Sequence, residues 1–102
     1  MMPFRVSPKA EHDLQEIGDY IALDNPSRAS SFVTEIERRF EDVAERPELF
    51  RVRDEIAPGI RAALHGGYMI FFTIASDGVV DFVRVLHGAR NFAALADEGG
   101  FQ

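Results

Sequence analysis

Apolar positions in the first half of the chain recur at helical spacing, and those in the second half alternate as strands do. Phe4-Arg5-Val6 reads as a short first strand. Ser7 then offers a side-chain cap, and Pro8 suits the first position of a helix. Ala10, Leu14, Ile17 and Ile21 form one stripe on that helix. Glu11, Asp13, Glu16 and Asp19 are expected mostly off the stripe, on a solvated side. Asp24-Asn25-Pro26 closes this helix and opens the next, with Asn25 as N-cap and Pro26 at the first position. The second helix runs to about Glu45 and buries Phe32/Val33, Ile36, Phe40 and Val43/Ala44. Arg46-Pro47 stops it. So short a linker makes the two helices antiparallel neighbours.

Residues 48–59 read as irregular, punctuated by Pro47 and Pro58-Gly59. Three strands follow. Ile60–His65 alternates and ends at the turn signal Gly66-Gly67. Tyr68–Ala75 is apolar on both faces, as a central strand is. Asp77-Gly78 is the strongest hairpin signal in the chain. Val79–Leu86 is the last long strand, Asn91–Glu98 a short terminal helix, and Glu98-Gly-Gly-Phe-Gln a frayed tail. The order strand, helix, helix, strand, strand, strand predicts an α+β domain. A two-helix antiparallel hairpin packs on one face of a mainly antiparallel sheet of about four strands. The other sheet face is then expected to be an open apolar groove, suited to a partner's helix or added strand.

Composition narrows the classes. The chain has 102 residues, 46% of them hydrophobic and nine of them Phe, enough for one domain with a real core. The expected core is about 3–95, with 96–102 a flexible tail. There is no Cys, which removes disulfides and thiolate chemistry. The three histidines, His12, His65 and His87, have no metal-ligand spacing, so no metal is expected, and no cofactor either. The N-terminus does not read as a signal peptide, and no apolar run approaches the roughly 20 residues of a membrane span. The reading is cytoplasmic and soluble, with no membrane partner.

The formal net charge is −6, which argues against sequence-specific nucleic-acid binding by the protein alone. Most of the acid lies in the helical half. Residues 60–92 set only Asp77 and Asp81 against Arg61, Arg84 and Arg90. That end of the sheet can still present a local basic spot.

Three strings now carry a resemblance: SPKAEHDLQEIGDYI in the first helix, HGGYMIFFTI in the central strand, and VRVLHGARNF at the end. Together they resemble the RelE/ParE superfamily of toxins from type II toxin–antitoxin systems, and the ParE branch most. The match covers about residues 3–95. The string Arg84-Val85-Leu86-His87-Gly88-Ala89-Arg90 is its most specific part. The resemblance implies the fold just read. It also implies a cognate ParD-like antitoxin whose C-terminal segment fills the exposed groove. An Arg-rich antitoxin segment would suit the acidic helices. RelE-like members cut messenger RNA on the ribosome, whereas ParE-like members are not nucleases and poison DNA gyrase.

Cutting RNA through the 2′-hydroxyl needs a base, cations at the phosphate and an acid for the leaving oxygen. Met69 stands where RelE-like toxins carry an arginine on the central strand. The stretch 91–96, NFAALA, holds no Tyr or His to serve as acid or base. No residue is therefore assigned as catalytic, and the expectation is a protein-binding toxin that is not an enzyme. Its recognition surface is expected at Arg61, Tyr68, Arg84, His87 and Arg90, with Phe92 as an apolar anchor. Each has a plainer reading. His87 can be an edge residue, His65 a hairpin residue and Tyr68 a packing ring, while Arg84 and Arg90 can pair with helix carboxylates. Two alternatives stand beside this reading. One is a RelE-like endonuclease with His87 or His65 as base and Arg84 and Arg90 at the phosphate. The other is a non-toxic relic that only binds antitoxin.

Overall fold

A computed structural model describes residues 2–101. Strand β1 (Phe4–Val6) leads into helix α1 (Pro8–Ala22) and helix α2 (Pro26–Glu45). A single 3₁₀ turn at Pro47–Leu49 starts the irregular stretch. Strands β2 (Arg61–His65), β3 (Tyr68–Ile74) and β4 (Val80–His87) follow, and helix α3 (Phe92–Asp97) comes last. The sheet order is β1-β4-β3-β2. β1 runs parallel to β4, and the other pairs are antiparallel. Among the described residues, no helix is long and apolar enough to cross a membrane.

Local chemistry sets the helix starts as the sequence predicts. Ser7 Oγ accepts from the Ala10 N–H at 3.0 Å, and Asn25 Oδ1 accepts from the Arg28 N–H at 3.1 Å. A proline follows each cap. Gly78 sits at φ +84°, a conformation open to glycine without strain, and closes the β3–β4 turn with Asp77.

The helical hairpin covers one sheet face. There Ile36, Phe40 and Val43 of α2 meet Ile70, Phe72, Phe82 and Val85. Phe40 stacks on Phe82 with ring centroids 4.3 Å apart, and Phe4 meets both rings edge-on. A bulge on β4 re-aims this strand. Phe71 opposes Arg84 but Phe72 opposes Phe82, so Val83 is the extra residue. The alternation shifts by one there, and Val85 rather than Arg84 returns to the helix side.

The second sheet face departs from expectation. It is not an open groove. Ile60, Met69, Phe71, Leu86 and Phe101 form a second buried cluster, with Ile56, Ala57, Phe92, Leu95 and Ala96 packed on it. The chain's own C-terminal segment and its 50–59 loop supply the cover. The frayed tail is likewise corrected for the described residues. Phe101 is buried, and its ring centroid lies 4.7 Å from that of Phe71. The physical reason is the same in both cases. A phenylalanine directly after a Gly-Gly pair can fold back onto apolar surface that would otherwise face water.

Candidate functional site

β1 ends at Val6, so beyond Phe82 the outer edge of β4 has no strand beside it. The start of α1 takes over its hydrogen bonds. The Ser7 N–H donates to Phe82 O at 2.9 Å, and Ser7 Oγ donates to Val83 O at 3.0 Å. Asp13 Oδ2 then accepts from the Val85 N–H at 3.0 Å. The same carboxylate holds Arg84 through two bonds, Nε to Oδ2 at 2.7 Å and Nη2 to Oδ1 at 2.9 Å. Asp13 is only 5% exposed. So large a desolvation is tolerable only because three donors meet the carboxylate. In return the carboxylate raises the Arg84 pKa above its ordinary value, against the opposing effect of burial.

This changes the standing of two residues. Asp13 is not on the solvated side of α1, because it falls three residues after Ala10 and four before Ile17, on the buried stripe. Arg84 is not free at the surface. Its third bond, from Nη1, goes to Gly100 O at 2.8 Å, so the whole guanidinium is tied within the fold.

Three of the six expected recognition residues come together. Tyr68 and His87 are register partners where β3 begins and β4 ends, with ring centroids 5.4 Å apart and nearly perpendicular. Arg90 follows one turn later, where its N–H donates to His87 O at 3.1 Å. These three line a cleft of about 270 Å³ whose other wall is α1, with Glu16, Ile17 and Tyr20. Arg90 is exposed, and its side chain has no hydrogen-bond or ion-pair partner among the described residues. His87 Nδ1 accepts from the Ala89 N–H at 3.1 Å, which leaves Nε2 to carry the proton in the neutral ring. His65 extends the aromatic row. It pairs with Tyr68 across β2–β3, and Phe32 of α2 packs against both rings.

The other three expected residues lie elsewhere. Arg84 is in the buried pair. Phe92 lies under the second face, its ring centroid 5.0 Å from that of Phe71. Arg61 begins β2, at the opposite end of that strand from His65, and donates to Phe50 O at 2.6 Å. Sequence reasoning missed Glu16 and Tyr20 as cleft residues. The available signal was their i,i+4 spacing, which puts them on one side of α1 beside Asp13 and Ile17.

The cleft therefore offers an unpaired guanidinium, a phenol pair, an imidazole and a carboxylate around an apolar floor. Such a set can grip a polar side chain and its apolar stem. His65 does not line this cleft; it opens with Glu35, Arg38 and Arg39 onto another, its Nε2 3.1 Å from Glu35 Oε1. Glu35 is in turn held below the ordinary carboxylate pKa, first by Arg28 and then by His65.

Comparison with known proteins agrees with this architecture. The family model described as the ParE toxin of the type II toxin–antitoxin system parDE matches residues 4–92. Toxin ParE1 of Mycobacterium tuberculosis is 33% identical over 86 residues, spanning 82% of this chain and 87% of that protein. Toxin ParE1 of Caulobacter vibrioides is 29% identical over 96 residues, spanning 92% of this chain and 97% of that protein. A solved structure of the chromosomal ParDE system from P. aeruginosa superposes with a TM-score of 0.71 at 22% identity. It covers 85% of this chain and 96% of that one, and supports the fold. The helical hairpin, the four-stranded sheet and the Arg84–Arg90 string all fall within the matched span, and the chain belongs to the ParE toxin family of type II toxin–antitoxin systems.

Proposed function

We propose that the protein is a toxin that acts by binding DNA gyrase through the Tyr68–His87–Arg90 cleft, and that a cognate ParD-like antitoxin neutralises it. On this reading it is not an enzyme. The observation that carries the reading is the dispersal of the groups that RNA cleavage would need. Arg84 is consumed by Asp13 and Gly100 O, Arg61 lies at the far end of β2, and His65 opens with Glu35 onto a different cleft, so that only His87 and Arg90 of that set stand together. Met69, on the central strand, is packed into the second core. At the sheet end one unpaired cation, Arg90, stands beside His87 and the Tyr68 and Tyr20 rings, with no second cation for a phosphate among the described residues of the cleft, a set rich in the arginine and aromatic side chains of a protein-binding hot spot.

The relatives support an antitoxin partner, since the P. aeruginosa structure is of a ParDE system. The excess of acid on α1 and α2 suits a partner segment rich in arginine.

Two reactions run side by side test the target. Purified protein is added to gyrase with relaxed plasmid, and to ribosomes programmed with messenger RNA. The expected result is arrested supercoiling with the message intact. Codon-dependent cuts in the message, with supercoiling unaffected, would overturn the proposal.

A further inference from the structure

The C-terminal segment that covers the second sheet face is bonded to the body in an unusual way. Every backbone hydrogen bond within residues 91–101 closes inside the segment. The N–H groups of Leu95, Glu98, Gly99 and Gly100 donate to Asn91 O, Ala94 O, Ala96 O and Leu95 O respectively. Asn91 Oδ1 accepts from the Ala94 N–H at 3.1 Å and starts α3 without outside help. No backbone–backbone bond joins this segment to the sheet or to α1 among the described residues. Two side chains of the body reach its carbonyls instead. Lys9 Nζ donates to Gly99 O at 3.1 Å, and Arg84 Nη1 donates to Gly100 O at 2.8 Å. The rest of the attachment is apolar, chiefly Phe92 and Phe101 edge-on against Phe71.

We propose that residues 91–101 form a detachable strap, hinged at Ala89–Arg90, that closes over Met69, Phe71 and Leu86 and lifts off as a unit without unfolding the rest. The hydrogen-bond pattern makes this possible. Lifting strands no backbone group in either part, because the strap keeps its internal bonds and its two freed carbonyls pass to water. Arg84 loses one bond but keeps both bonds to Asp13, so its charge stays paired. Residues 88–90 are exposed and lie outside any helix or strand; the Gly88 N–H is tied to Gly67 O at 2.8 Å, so the bend falls at Ala89 and Arg90, whose N–H groups can pass to water.

Two consequences follow. The groove that the sequence pattern predicts on the second face does exist, but the chain itself occupies it, so an apolar segment arriving there must displace the strap. Arg90 also lies in the hinge, so the position of the strap sets where this guanidinium stands relative to Tyr68 and His87. The inference concerns the chain alone and holds whatever the target of the cleft is.

Closure depends on Gly100. A Cβ there would lie 2.3 Å from Leu95 Cγ and 2.8 Å from Leu95 O, distances no side chain tolerates. Both atoms belong to the strap, so Gly100→Val should break the Leu95–Gly100 turn that brings Phe101 back onto Phe71, and so loosen the strap's apolar hold on the sheet. The chain has no cysteine, so a single engineered thiol reports on one place. Met69→Cys puts the thiol beneath the strap, and Val43→Cys puts one in the core between the helices and the sheet. Thiol labelling is followed at increasing urea, below the unfolding transition.

The Met69→Cys thiol is expected to react through a local opening nearly independent of urea, and at least about tenfold faster when combined with Gly100→Val. The Val43→Cys thiol is expected to react only through global unfolding, with steep urea dependence. Circular dichroism of Gly100→Val should match the parent. The proposal is overturned if both thiols follow the same steep dependence, if Gly100→Val leaves the Met69→Cys rate unchanged, or if Gly100→Val unfolds the chain.

Discussion

Replacing Asp13 with alanine is expected to cost about 3–5 kcal/mol of folding stability, the range for leaving one partner of a buried ion pair alone. The change strands the Arg84 guanidinium, whose side chain is 14% exposed, and orphans the Val85 N–H. It also removes the bond that holds α1 against the free edge of β4, and with it one wall of the cleft. Domains of this size have about 5–15 kcal/mol in hand, so the loss is a large fraction. Denaturant unfolding measures it directly. Asp13→Ala combined with Arg84→Met should recover part of the loss, because no charge is then left unpaired. The exposed Arg5–Asp81 pair is the control. Asp81→Ala should cost less than about 1 kcal/mol. An Asp13→Ala protein within about 0.5 kcal/mol of the parent would show that the pair does not hold the site.

Phe82→Ala is expected to cost a similar amount, about 3–5 kcal/mol, for a different reason. Phe82 is fully buried, stacked on Phe40 and flanked by Phe4 and Phe72. Its removal leaves a cavity bounded by β1, α2 and β3 at once, which no single neighbour can fill. The measurement is the urea midpoint at unchanged slope. Leu49→Ala, at a residue 70% exposed, should stay within about 0.5 kcal/mol of the parent. If Phe82→Ala cost no more than Leu49→Ala, the aromatic cluster would not be what couples the first strand to the last.

These two residues also show where sequence was a good guide and where it was not. The caps at Ser7 and Asn25, the prolines behind them and the Asp77-Gly78 turn are local devices, so they are readable without tertiary contacts. The helical hairpin and the antiparallel β2–β3–β4 order follow from them. The parallel pairing of β1 with β4 does not, because a three-residue strand carries almost no pattern. Asp13 was misplaced because its charge outweighed its position on the Ala10–Ile17 stripe. What compensates it is Arg84, 71 residues away, and no local rule sees that. The packing of Phe101 is not legible because Gly99-Gly100 looks like a place where order ends. Gly99 takes φ +73°, and Gly100 allows close approach to Leu95. Together they fold Phe101 back.

For the candidate site, the string from Arg84 to Arg90 leads to the end of the sheet where the cleft opens. It could not separate Arg84, whose side chain turns to Asp13, from Arg90, which faces the cleft. The β4 bulge at Val83 turns Arg84 off the helix side of the sheet, and the Phe82-Val83 doublet that marks it reads equally well as a strand covered on both faces.

The most direct test of the account is gyrase supercoiling measured against a dose of the parent protein and of Arg90→Glu. Arg90 is exposed and without side-chain partners among the described residues, so the variant should melt like the parent. Reversing its charge at the centre of a binding surface should raise the dose for half-inhibition at least about tenfold, a change of about 1.4 kcal/mol. Equal inhibition by the two proteins, or none by the parent, would contradict the claim that this cleft binds gyrase.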